Sequence, residues 1–411
     1  MKCQQQRLQD DFTALSQYGA LDNGGFTRIA FTPEDMKART WLIKVMEDAE
    51  LSVSIDPFGN IRGRRHGLED LPPVMIGSHI DTVPEGGNYD GVVGVLAGLE
   101  VVRTLNDHNI STKRPIEIMN FSAEESSRFG MATMGSKVLA GKIGIDTLKQ
   151  LTDKNNISLY DALIECDYAA DKITEAAIEP DQIHAFIEMH IEQGPVLEMK
   201  QCSVGIVTSI AAPTRFKVVI EGRADHSGNT PMDMRKDALT AASEITLGVE
   251  RITSHEAGER TVGTVGYQII SPGAMNVVPG KVELGIDIRD VDMTDKNKAV
   301  SAVTALMDEI SVRRDVKITY QQLCHDEPVA MSQRVIDTLK ETAQEMNLTN
   351  MMMPSGAGHD AMNMAHLADT GMIFIPSIDG ISHNIAECST MEDISTGTDL
   401  LLLATLKLSQ E

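Results

Sequence analysis

The chain has 411 residues, 42% of them apolar and 23% charged, an ordinary balance for a folded protein and a length at which two domains are expected. With 60 acidic residues against 36 basic ones, the formal charge of -24 repels a phosphate backbone and argues against a nucleic-acid partner. No apolar run reaches signal-peptide or membrane-span length, and Cys3, Cys166, Cys202, Cys324 and Cys388 form no C-x-x-C pair, so a cytoplasmic protein with reduced thiols and no membrane partner is expected.

In chain order, the hydrophobic spacing predicts a helix over 36–50, short strands over 51–55 and 60–64, and an apolar strand over 73–76 that enters Gly77-Ser78-His79. A helix over 91–106, a strand over 115–121 and a helix over 134–139 follow, which is the alternation of a layered α/β domain. The stretch 150–182 reads as helical and polar, 183–189 as an apolar strand ending at His190, and 204–210 as a further apolar run. The rhythm then changes: strand 216–220, helix 235–251, strands 263–270 and 281–288, helix 296–310 and strand 316–321 give a β-α-β-β-α-β, ferredoxin-like order. From 329 the α/β pattern returns, with helices near 331–346 and 359–367, a strand over 371–375 and a helix over 397–406. The expected organisation is a catalytic domain in two parts, 1–210 and 327–411, interrupted by an inserted α+β domain over 211–326.

Several polar residues stand where open α/β sheets place their sites, at strand ends. In His79-Ile80-Asp81, the i, i+2 spacing sends both side chains to one face, so Asp81 can take the second imidazole N–H of His79 and make it a better metal ligand. Asp90, after the Gly86-Gly87 turn, reads either as a helix cap or as a carboxylate shared by two cations. Glu124 and Glu125 are either solvated charge or a pair divided between binding metal and accepting a proton. His190 and His383 are either core and turn histidines or ligands. Nitrogen and oxygen donors without cysteine suit Zn2+, Mn2+, Co2+ or Ni2+.

These residues lie in longer motifs: Gly24-Gly25-Phe26-Thr27-Arg28, Gly77-Ser78-His79-Ile80-Asp81-Thr82-Val83, Gly86-Gly87-Asn88-Tyr89-Asp90-Gly91, Glu124-Glu125 with Arg128-Phe129, His190-Ile191-Glu192-Gln193-Gly194, His226-Ser227-Gly228, and Ser355-Gly356-Ala357-Gly358-His359-Asp360. Through them the chain resembles, over nearly its whole length, the M20 metallopeptidase family and its amidase, hydantoinase and carbamoylase branch. The resemblance implies a dinuclear-metal, aminopeptidase-like catalytic domain carrying an inserted ferredoxin-like lid and dimerisation domain. It implies two divalent ions per subunit, one held by His79 and His190, the other by Glu125 and His383, with Asp90 as the bridge. Glu124 becomes the general base, Asp81 the partner of His79, His226 an anion-stabilising donor, Asn276 and Arg289 the holders of a substrate carboxylate, and Gln193 a neighbour of the ureido group. Without it, Arg289 reads equally as a surface ion pair and His226 as a loop partner of Asp225. The implied reaction is hydrolysis of N-carbamoyl-L-amino acids by a homodimer. Allantoate amidohydrolase is the alternative, followed by a β-ureidopropionase or an N-acyl-amino-acid or dipeptide hydrolase. Ser126-Ser127, Ala211-Ala212-Pro213 and Asn229 depart from the branch near the pocket or hinge and leave the substrate open.

Overall fold

The computed structural model describes residues 1–411. It divides into two compact units, Met1–Thr208 with Ala330–Glu411, and Ser209–Val329.

The first unit is built on a nine-stranded sheet whose four central strands, Ile116–Phe121, Val74–His79, Ala185–Ile191 and Asp369–Ile375, lie side by side and parallel. Every residue of the first three is buried. Strands covered on both faces read as continuous apolar runs instead of alternating ones, which is why these segments stand out in the sequence. Each fully buried Val, Ile or Phe contributes roughly 1.5–3 kcal/mol, so the strand ends are firm bases for side chains. Ser52–Ile55 and Ile61–Arg65 extend the sheet as a hairpin on one side, and Val204–Ile210 runs antiparallel to Asp369–Ile375 on the other. The helix Val92–Asp107 is buried on nearly all sides and connects two of the central strands.

Several expectations need correction. The strand predicted over 73–76 runs on to His79, and His190 lies inside Ala185–Ile191. The stretch over 150–182 is broken into short helices and turns, and it is not merely polar, because Leu159, Leu163, Ala170 and Ile173 bury with Phe31, Phe58 and Phe129 in a satellite core. The helix expected near 359–367 shrinks to Ala361–Met364, since His359 and Asp360 are held by the hydroxyls of Ser355 and Ser136. The helix Gln5–Leu15 and the strand Asn350–Ser355 were unforeseen; the latter's Met351-Met352-Met353 run has no strand alternation, and methionine favours helices.

In the second unit four antiparallel strands lie in the order Lys317–His325, Ala212–Glu221, Lys281–Asp290, Val262–Ser271. Helices Ala238–His255 and Met293–Arg314 cover one face and enclose Val218, Ile220, Ile245, Leu284, Ile286 and Val303. The buried and part-exposed residues of Lys281–Asp290 alternate strictly, as one covered face requires. A separate two-residue ladder pairs Val277 with His226 and Val278 with Asp225. No helix of the protein is long and apolar enough to cross a membrane, and all five cysteines are free.

Candidate metal centre

The carboxyl ends of the central strands bring five donor side chains to one place. Oδ1 of Asp90 lies 3.2 Å from Nε2 of His190 and 3.5 Å from Nε2 of His79. Its Oδ2 lies 3.3 Å from Nε2 of His383, which is 3.4 Å from Oε1 of Glu125. Two groups therefore share Asp90, His79–Asp90–His190 and Asp90–Glu125–His383, each with its donor atoms within 4.8 Å of one another. The helix-cap reading of Asp90 fails, because Gly91 is the cap residue of Val92–Asp107. Gly91 has φ +68°, and a Cβ there would come within 2.3 Å of Nε2 of His79, so the chain passes the imidazole only as glycine.

Backbone partners set the histidine tautomers. Nδ1–H of His79 donates to the main-chain oxygen of Asp81 at 3.0 Å, and Nδ1–H of His190 donates to that of Ile191 at 2.9 Å. With Nδ1 bonded to the main chain, Nε2 of each ring is the atom that faces Asp90 and the one a metal would take; Nε2 of His190 also lies 3.0 Å from the main-chain N–H of Gly91. The Asp81 expectation is thereby corrected. Its carboxylate stands 3.7 Å from Nδ1 of His79 and instead accepts the main-chain N–H groups of Glu124 at 3.3 Å and Glu125 at 3.1 Å. His79 is the last strand residue, so the i, i+2 rule no longer governs where Asp81 points.

The loop residues are held under strain. Ala123, Gln193 and His383 have φ of +53°, +57° and +54°, a left-handed conformation that costs a non-glycine residue about 1–3 kcal/mol. Ala123 directs the two glutamates apart: Oε2 of Glu124 turns to His79 at 3.7 Å, while Glu125 faces His383.

Electrostatics are dominated by buried carboxylates. Burial drives the Glu124 carboxyl well above its ordinary range against the pull of His79, and Glu125, Asp360 and Asp90 push it further. Burial, aided by Asp90, raises Glu125 to about 7. Asp90 is held well below its usual range because His190, His383 and His79 together outweigh its burial. The hydrogen bond to Asp90 raises His383 to about 9 despite partial burial. A donor set of imidazole nitrogens converging on mutually repelling carboxylates fits divalent cations, which would replace the imidazole protons and relieve that repulsion.

The amide of Gln193 donates to Oδ2 of Asp90, while its Oε1 is buried without a partner. His226, Asn276 and Arg289 belong to the second unit. Nδ1 of exposed His226 accepts the main-chain N–H groups of Gly228 at 3.1 Å and Asn229 at 3.2 Å, which assigns the proton to Nε2 and makes it a donor. The main-chain oxygen of Asn276 accepts the Ser227 N–H at 3.1 Å. Arg289 does not follow its strand but lies within Lys281–Asp290, where Nε and an Nη bind Asp287 at 3.1 and 3.0 Å.

Sequence reasoning assigns no role to Glu387, whose carboxylate accepts four hydrogen bonds around Asp90 and His383. Nor did it single out fully buried Arg28, which donates to Ile80 O, Tyr18 O and Asn88 Oδ1 and so ties the His79 and Asp90 segments together. His359, whose ring centroid is 4.5 Å from that of His190, is kept neutral by burial and by His190. Position within a quoted motif was the only signal for Arg28 and His359; for Glu387 there was none.

Residues 75–407 match the model of peptidase family M20/M25/M40. The chain is 38% identical over 405 residues to an N-carbamoyl-L-amino-acid amidohydrolase of Pseudomonas sp., covering 98% of each. It is 39% identical over 409 residues to a ureidoglycolate hydrolase of Arabidopsis thaliana, covering 98% of this chain and 86% of that protein. A crystal structure of an amidase of the hydantoinase/carbamoylase family from Burkholderia multivorans superposes with a TM-score of 0.94 at 35% identity, covering 100% of this chain and 99% of that one.

Proposed function

The chain belongs to peptidase family M20/M25/M40, and on that premise we propose that it hydrolyses the ureido C–N bond of a small ureido carboxylate, with N-carbamoyl-L-amino acids as the leading substrates. The observation that carries this reading is Asp90, each of whose oxygens faces a different histidine group. Two divalent ions, held by His79, Asp90 and His190 and by Asp90, Glu125 and His383, would supply Lewis acidity for the scissile carbonyl and for water activation.

The remaining steps fall to side chains. Glu124, buried and made more basic by its neighbours, takes the proton of the attacking water and passes it to the leaving nitrogen. Nε2–H of His226 donates to the oxyanion forming on the carbonyl. The unpartnered Oε1 of Gln193 accepts a ureido N–H. Arg289 takes the substrate carboxylate, aided by Asn276, with Asp287 orienting the guanidinium. Water and the ureido group thus yield ammonia and a carbamate, which loses carbon dioxide to leave the free amino acid.

We further propose that the second unit is a ferredoxin-like lid and the dimerisation domain of a cytoplasmic homodimer. Its edge strand Val262–Ser271 exposes Val262, Tyr267, Ile269 and Ile270, a surface that pairing with a second copy would cover.

Similarity to proteins with different named substrates at 38% and 39% identity leaves the substituent on the α-carbon open. The test is ammonia release from N-carbamoyl-L-amino acids, ureidoglycolate and allantoate, with an N-acyl amino acid and a dipeptide as controls, by metal-free protein reloaded with single metals. Release from allantoate or ureidoglycolate but from no carbamoyl amino acid overturns the leading choice.

A further inference from the structure

Glu387 lies outside the donor groups, is 4% exposed, and touches two of the three segments that build the second one, those of Asp90 and His383. Its Oε1 accepts the main-chain N–H groups of Tyr89 and Asp90, both at 3.1 Å. Its Oε2 accepts the His383 N–H at 3.2 Å and, at 3.0 Å, shares the single proton of the Ser382 hydroxyl with Oδ2 of Asp90 at 3.1 Å. Gly87 lies directly against it: a Cβ at that position would come within 2.3 Å of Oε1 and 2.5 Å of the Glu387 Cβ.

The chemistry of this junction is selective. Three of the four partners are main-chain N–H groups, which can only donate, and a carboxylate is the side chain that accepts on both oxygens. A glutamine would turn its NH2 group toward one of the two pairs of donors, whichever way the amide lay. His383 needs such an anchor more than His79 or His190 does, because it sits on a loop at φ +54° with a half-exposed side chain, not on a buried strand.

We propose that Glu387 is a positioning residue for the second metal group, clamping the Asp90 segment to the His383 loop so that Asp90, Glu125 and His383 can hold an ion together. The first group depends on it much less, since His79 and His190 are fixed by their strands and by their own main-chain acceptors. The inference rests on the metal reading of this cluster.

The experiment is a Zn2+ titration of the metal-free full-length protein against a chromophoric chelator, with bound zinc counted by elemental analysis, for wild type, Glu387→Gln and Gly87→Ala. Wild type is expected to bind two ions. Both variants should keep the tighter ion at wild-type affinity and bind the second about 10- to 100-fold more weakly, the usual effect of losing a group that supports a ligand. Adding Glu387→Gln to His383→Ala should then weaken the second ion no further, because the clamp acts through that histidine. Two ions bound as tightly in both variants as in wild type, or both ions weakened alike, overturns the proposal. If Glu387→Gln does not fold, Gly87→Ala decides by the same outcomes. Wild type that binds no zinc refutes instead the metal reading on which the inference rests.

Discussion

The two halves of the candidate metal centre are made differently. His79 and His190 reach Asp90 from strands that are buried along their whole length, so the sheet itself fixes their separation. Glu125 and His383 reach it from loops, after left-handed turns at Ala123 and at His383 itself, and their positions depend on hydrogen bonds that their main-chain N–H groups donate to Asp81 and Glu387. Packing therefore secures one half, and a few polar contacts secure the other. The loop half is the one in which small chemical changes should have large effects.

The largest expected effect comes from the residue both halves share. Asp90→Ala should remove both ions and abolish turnover, measured by elemental analysis and ammonia release; a variant with two ions and normal turnover would erase the distinction between halves altogether. Next in size is Glu124→Gln, which keeps volume but cannot accept a proton. It should hold both ions and lose about 10²- to 10⁴-fold in kcat. Loss of an ion would mean that Glu124 and Glu125 have exchanged roles.

Asp81→Ala sharpens the comparison further. It leaves the N–H groups of Glu124 and Glu125 without their acceptor, so kcat should fall about 10- to 100-fold while the ion at His79 and His190 stays bound at wild-type affinity. Weakened binding of that ion would instead restore Asp81 as the partner of the His79 imidazole.

The smallest effect is on pH dependence. In the metal-free protein Glu125, raised from 4.5 to about 7, keeps in the folded state a proton that the unfolded chain has lost within that window, and His383, raised from 6.5 to about 9, does the same in the next. The folded state binds more protons in both windows, so stability falls as pH rises from about 4.5 to about 9. Thermal unfolding of the chelated protein should show this decline, and His383→Ala should flatten its upper part. A midpoint that climbs steadily over the same range would contradict the assigned directions.

The difference between halves also explains what the sequence reveals. The buried parallel strands announce themselves as apolar runs, and His79 and His190 are legible because they stand at or next to the ends of such runs. The outer fold is less so: Asn350–Ser355 has no alternation to betray it, and Gln5–Leu15 is ordered through partners far along the chain, such as Glu100 against Arg7. In the loop half, Asp81 bonds to residues 43 and 44 positions later, and Glu387 to one 297 positions earlier. No local spacing encodes such contacts. The Asp81 carboxylate departs from strand geometry for that reason, since the strand ends at His79 and its partners lie on the Glu124–Glu125 loop.

The strand Asp369–Ile375 lies in the middle of the large sheet, between Ala185–Ile191 and Val204–Ile210, yet it is made after the whole of Ser209–Val329. During synthesis at about 5–20 residues per second, the roughly 184 residues from Ile191 to Ile375 take about 9–37 s to appear. For that interval the nascent chain carries an apolar strand edge along Ala185–Ile191 with its neighbour not yet made, and such edges pair readily with other chains. The order in which the chain is written thus gives the growing polypeptide a period of vulnerability to aggregation that the finished molecule no longer has.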